Sequence, residues 1–326
     1  MSKYPYLFLF MFSLSSQTTP GTIDQANELY GQGRLKEAII LYKKASLNGE
    51  NPAICYFNLG NSYFQLDSIP QSIVYYLATT SYAPDFFRGH LNLAICYYTL
   101  DELGRCIASV KRALEIEPEN QKALLLLGTC YQRLKANSEA IIIFENLIRL
   151  YPQNDEPYIA LAEIYRDLLD NDEALKWLSM YPESGKNDSY VNVLKAEIHE
   201  NSHNLQKALF YLTLAYQKDR TNQWLLYRII NMHQEMGNDL VALQEAAKGL
   251  DQFPGFAELA VLAGEISFKH KKYDEAKRFF TIAKINGSAA GERGLQNLRE
   301  IISVQTGDYG QNDHFTRNAS RSPVSP

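Results

Sequence analysis

Residues 123–152 read ALLLLGTCYQRLKANSEAIIIFENLIRLYP, and this stretch decides the fold. Two runs of apolar residues at helical spacing are separated by a short polar break, the pattern of helix, turn, helix. Taking Ala140 as an anchor and stepping by 34 residues in both directions lands on Ala38, Ser72, Cys106, Ala174, Ala208, Ala242 and Ala276, all of them small. A second site twelve residues earlier carries Ala26, Gly60, Ala94, Gly128, Ala162, Ala196, Ile230 and Gly264. Small side chains at both sites let the two helices of a unit approach closely, so the bulky Ile230 predicts a slightly splayed pair.

Large side chains recur around these small sites. The first helix supplies Leu29, Tyr63, Tyr97, Tyr131, Tyr165, His199, His233 and Ser267. The second supplies Tyr42, Tyr76, Val110, Phe144, Leu178, Leu212, Ala246 and Phe280. Pro84, Pro118, Pro152 and Pro254 close four of the units, where proline stops one helix and sets up the next. Units five and six lack that proline, although the connector from Tyr181 to Ser189 supplies Pro182 and Gly185.

This register resembles that of the tetratricopeptide repeats, and LGTCYQRLKANSEAIIIF matches that family's signature sites closely. The resemblance implies an all-α superhelical solenoid of eight helix-turn-helix units over residues 19–287. Residues 288–304 carry Leu295, Leu298, Ile301 and Ile302 at helical spacing and are expected to form a capping helix over the last unit. Residues 305–326 are polar with almost no aliphatic side chains and are expected to be disordered.

At the other end, Lys3 precedes an apolar run from Tyr6 to Leu14 and then small polar residues, the layout of a secretory signal peptide. The run is too short to span a bilayer, which takes roughly 20 residues. Cleavage between Ser13 and Thr19 would leave Thr19 and Pro20 as the cap and first residue of the first helix. An uncleaved hydrophobic segment over residues 1–18 is the alternative. Export would permit disulfides among Cys55, Cys96, Cys106 and Cys130, but the register gives each a helical packing site and none forms a CxxC pair.

A net charge of −5 supplies no basic field for a phosphate backbone, so nucleic acid is not an expected partner. The resemblance instead implies protein or peptide partners lying in a groove lined by the first helices. Transferring the groove sites by register gives Asn27 and Asn61, Asn58 and Asn92, and Arg88 and Lys122. Amides donate to and accept from a peptide backbone at once, and the cations attract a carboxylate. A clamp for a C-terminal carboxylate needs two basic residues on one helix, and here Arg88 is followed by Asn92 and Lys122 by Leu126. The alternative for the amides is that they are solvated family residues. Further along, Glu163, Glu197, Glu200 and Glu265 accompany Tyr190, Trp224 and Tyr227, which either line an acidic, aromatic stretch of groove or pack on the neighbouring unit.

One motif points to an enzyme. HENSH, from His199 to His203, has the form of HExxH, in which two histidines on one helical turn bind zinc and the glutamate acts as base. In the repeat register, however, His199 takes a buried aromatic site and His203 falls at the turn between helices, and no third ligand follows. With no phosphate-binding glycine loop, GxSxG elbow or nucleophile pair, neither catalysis nor a cofactor is expected. The expected function is a protein-interaction scaffold exported to the periplasm or cell surface, with an intracellular or membrane-tethered assembly adaptor as the alternative.

Overall fold

The computed structural model describes residues 21–182 and 188–306, and every described element of regular structure is an α-helix. The hydrophobic segment over residues 1–18, the helix start at Thr19 and Pro20, and the polar tail from residue 307 lie outside the described residues, as does the middle of the Tyr181–Ser189 connector.

The chain divides into two compact units, residues 1–184 and 185–326. In the first, five helix pairs follow in order: α1 (Thr22–Gly31) with α2 (Leu35–Leu47), α3 (Pro52–Gln65) with α4 (Ile69–Tyr82), α5 (Phe87–Thr99) with α6 (Leu103–Ile116), α7 (Gln121–Arg133) with α8 (Asn137–Leu150), and α9 (Glu156–Asp167) with α10 (Asn171–Met180). Each second helix also packs on the first helix of the next pair, so the pairs stack. The second unit holds three pairs: α11 (Asp188–Asn201) with α12 (Leu205–Lys218), α13 (Gln223–Glu235) with α14 (Asp239–Gln252), and α15 (Ala257–Lys269) with α16 (Tyr273–Ile285). A last helix, α17 (Ala289–Thr306), packs on α16 and α15. The fold is an all-α solenoid of helix pairs.

The small sites work as the spacing predicts. A Cβ on Gly60 would sit 2.6 Å from the Tyr76 ring, one on Gly128 2.6 Å from Phe144, and one on Gly264 2.6 Å from Phe280. Each glycine seats the large aromatic residue of its own pair, and the two helices close over that ring. At Ile230 the bulk is exchanged, because the matching knob is Ala246, and both are fully buried. The α13–α14 pair is also the most loosely apposed of the eight, as its bulky first-helix residue predicts. Gly291 and Gly294 bring α17 against Ala283 and Phe280 in the same way, and Leu298 is buried beside them while Ile302 stays exposed.

The turn within each pair has a single design that composition does not advertise. Gly33, Asp67, Asp101, Lys135, Leu169, His203, Gly237 and Lys271, again 34 apart, all have φ between 55° and 78°. Around each, two backbone bonds close the helix, as in Arg34 N–H to Leu29 O and Gly33 N–H to Tyr30 O, both 2.9 Å. This is the Schellman arrangement, which satisfies the last carbonyls of the first helix and reverses the chain. Left-handed φ is unfavourable for a residue with a Cβ. Leu169 is 73% exposed, so its side chain contributes little packing in return. Leu169→Gly should therefore raise stability by about 0.5–1 kcal/mol in urea denaturation.

The exits between pairs are extended. Ala83, Glu117, Tyr151 and Phe253, each just before a proline, have φ from −125° to −136° with ψ from 68° to 84°. Asp219 adopts φ −134°, ψ 84° with Arg220 where the proline would be, so the stacking geometry, not proline alone, sets this exit.

Candidate functional site

Residues three, four and seven apart on a helix share one face. On α5 this spacing brings together Leu91, Ile95 and Tyr98, and on α7 Lys122, Leu125, Leu126 and Thr129. These seven residues line a shallow cleft of about 20 Å³ between the first helices of the third and fourth pairs. Leu91, Ile95 and Leu126 form its apolar floor, each less than 10% exposed. Lys122 is exposed at the rim, where partial desolvation lowers its pKa. Tyr98 is held from the far side by the Arg133 guanidinium, 4.9 Å from its ring, and Arg133 in turn pairs with Asp101 at 2.7 Å. The cleft thus offers a small apolar surface with one cation exposed at its rim.

Of the residues placed in a groove by register, Lys122 lines this cleft, and Arg88 is exposed on α5 one turn before Leu91. The four asparagines come together in pairs with a different emphasis. Asn61 Oδ1 accepts hydrogen bonds from the Tyr76 hydroxyl at 2.6 Å and from Asn92 Nδ2 at 3.0 Å, and Asn92 Nδ2 also donates to the Tyr76 oxygen at 3.2 Å. Asn61 and Asn92 are 6% and 8% exposed, and Tyr76 is fully buried. One repeat earlier the same sites make the same pattern: Asn27 Oδ1 accepts from Tyr42 at 2.7 Å and from Asn58 Nδ2 at 3.1 Å. Amide capacity that was expected to face a peptide is thus spent partly on tying consecutive pairs together. One repeat later Ile95, Val110 and Leu126 occupy the three equivalent sites, and the network gives way to apolar packing beneath the cleft.

Three of the acidic groove positions find partners within the chain. Gln132 Nε2 donates to Glu163 at 2.9 Å in the first unit. In the second, Arg228 pairs with Glu197 at 3.4 Å and with Glu200 at 3.0 Å. Arg228 was the residue that reading the sequence missed. Its signal was its place on the groove face one repeat after the two glutamates. It sits in a polar cleft with Glu200, His203, Tyr227, Asn231 and Glu235. Trp224 is half-exposed and meets Tyr227 and the buried Phe256 edge to face, at 5.8 Å and 4.9 Å, so both aromatic residues pack on the next pair. Glu265 is exposed near Tyr227, whose hydroxyl pKa is raised first by burial and then by the Glu265 charge.

The histidines of HENSH have different surroundings. His199 is 8% exposed and stacks on Tyr211 with ring centres 5.5 Å apart, and burial lowers its pKa. His203 is the left-handed residue of the turn, with φ 55°. The Schellman closure ends α11 between them, so the two do not project from one continuous helix as a zinc pair must. Among the described residues no three His, Cys, Asp or Glu side chains gather as a metal site.

Two family models, each described as tetratricopeptide repeat, match residues 107–155 and 136–198. No curated protein matches the sequence. Among solved structures, a tetratricopeptide repeat protein from Parabacteroides merdae ATCC 43184 superposes with a TM-score of 0.54 at 15% identity, over 76% of this chain and 99% of that one. The pilF protein of Pseudomonas aeruginosa superposes with a TM-score of 0.50 at 14% identity, over 67% of this chain and 95% of that one. At these identities the likeness is one of fold. Residues 107–198 are tetratricopeptide repeats, and the same 34-residue register with its glycine-seated rings recurs in helix pairs on both sides of them.

Proposed function

We propose that the chain is a protein-interaction scaffold whose first unit holds a partner segment across α5 and α7, with an apolar side chain laid against the cleft and an acidic group beside Lys122. The observation that supports this reading best is the change of lining: Ile95 and Leu126 give the cleft apolar surface where Asn61 and Asn92, the equivalent residues one repeat earlier, bond to each other and to Tyr76. Arg88 and Lys122 extend the cationic rim along the same face. Asn58 and Asn27, only half-buried, retain edge access for a backbone passing over them.

Lys122→Glu tests the reading, because its side chain is exposed at the rim of the cleft, whereas Leu125→Asp also removes packing against the Ala140, Phe144 and Leu161 cluster. Lys122→Glu should lower partner capture by the purified protein about tenfold or more with an unchanged melting temperature, and Leu125→Asp should lower both. Ile142→Asp, on an exposed face of α8, should change neither. Equal capture by all three variants would remove the cleft from the interface.

For location we propose export to the periplasm or cell surface, supported by the charged, apolar and small-polar order of residues 1–18. No helix among the described residues is long and apolar enough to cross a membrane. The mass of the mature N-terminus distinguishes export from retention by an intact hydrophobic segment: a start near Thr19 supports cleavage, and an intact Met1 supports a tethered or intracellular adaptor.

A further inference from the structure

Cys106 on α6 and Cys130 on α7 are both fully buried, with their Sγ atoms 3.2 Å apart. The juxtaposition belongs to the repeat, not to chance side-chain placement. One repeat earlier the same two sites hold Ser72 and Cys96, and there the Cys96 thiol donates to the Ser72 hydroxyl at 3.5 Å. At other steps the pair is Ala38 with Ser62, Ala140 with Ile164, Ala208 with Met232, and Ala242 with Ile266. Only the step from the third pair to the fourth places two thiols there. Cys55 bonds instead to the Glu50 carbonyl at 3.0 Å, so neither remaining cysteine has a thiol neighbour.

We propose that Cys106 and Cys130 form a disulfide that staples the third helix pair to the fourth. The bond needs the sulfurs to close by about 1.2 Å to the usual 2.05 Å. The shared hydrogen bond lowers the Cys130 pKa and raises that of Cys106, favouring the Cys130 thiolate as first nucleophile. With oxidised glutathione as oxidant, the Cys130 thiolate attacks its S–S bond and releases one glutathione thiolate, leaving a mixed disulfide. The Cys106 sulfur, having lost its proton, then attacks Cys130 Sγ and releases the second glutathione. Two thiol protons and two electrons leave the protein, and the electrons reside on the two glutathione thiols. Because both sulfurs are buried, exchange takes place while the α6–α7 step is open, during folding or on transient unfolding.

The staple fixes α7, and with it Lys122, Leu125, Leu126 and Thr129 of the cleft, against α6. It stands whether or not the cleft binds a peptide.

The test is to reduce and unfold the full chain in urea, refold it with reduced and oxidised glutathione, quench by alkylation, and measure intact and peptide masses. The proposal expects a loss of about 2 Da, a peptide linking Cys106 to Cys130, and two alkylated thiols, Cys55 and Cys96. The oxidised form should melt about 5 °C higher, and reductant should reverse the shift. Cys106→Ser, a residue the fold accepts at Ser72, should abolish the linkage, and a Cys55→Ser, Cys96→Ser double variant should keep it. Four alkylated thiols after oxidative refolding, a linkage to Cys55 or Cys96, or a product that stops at glutathione on Cys130 would each overturn it.

Discussion

Gly128→Leu should destabilise the first unit by about 3 kcal/mol. The reason is visible before any leucine is placed. The first carbon alone would lie 2.6 Å from Phe144 Cε1 and 2.9 Å from Cζ, inside the distance any real Cβ tolerates. Phe144 is fully buried and packed with Ala140, Leu161 and Ile164, so its ring cannot withdraw without displacing the next pair. Gly128→Ala should cost about 1–2 kcal/mol by the same clash. Shrinking the ring by Phe144→Leu in that background should return part of the loss, a coupling that independent sites would not show. Gly104, which also lies in a helix but has nothing within 4 Å, supplies the control: Gly104→Ala should stabilise by about 0.5–1 kcal/mol. Urea denaturation of the four variants checks the series, and a neutral Gly128→Leu would mean the helices are not closed on Phe144.

Asn61→Ala should cost about 1–3 kcal/mol, even though its register assigns it to a binding face. Its Oδ1 is the acceptor for both the Tyr76 hydroxyl and the Asn92 amide. Removing it takes the acceptor from the hydroxyl of a fully buried tyrosine, whose oxygen still accepts from the Asn92 amide. An unmade bond inside the protein costs the full desolvation of the orphaned group. Triple replacement with Asn61→Ile, Tyr76→Val and Asn92→Leu copies the apolar set found one repeat later at Ile95, Val110 and Leu126. It should recover much of the loss relative to Asn61→Ala. Melting curves of the single, the triple and Tyr76→Phe test this. An Asn61→Ala protein that melts like the wild type but loses its partner would show instead that the amide serves the ligand.

The first of these two predictions needs only the sequence, and the second needs the packed structure. Gly128 and Phe144 are legible from residue size alone, because a small site and a large one recurring every 34 residues must face each other within each helix pair. Helix-turn-helix order and the packing addresses of the four cysteines follow from the same periodicity. The left-handed turn residues recur equally regularly but went unread, since only Gly33 and Gly237 carry the glycine that advertises such a backbone; Lys135 and Leu169 look like ordinary helix residues.

Tertiary structure decided what the polar groups do. An asparagine on a first helix reads the same whether it meets water, a peptide or the neighbouring repeat. Only the stacking distance placed Asn92 Nδ2 at 3.0 Å from Asn61 Oδ1 and Arg228 between Glu197 and Glu200. The opening over Leu91, Ile95 and Leu126 and the approach of Cys106 to Cys130 are likewise set by how one pair leans on the next. Periodicity determines which residues face inward because burying apolar surface requires only the correct face. Hydrogen bonds, ion pairs and thiol contacts depend on separations of a few tenths of an ångström, and those exist only once the helices have packed.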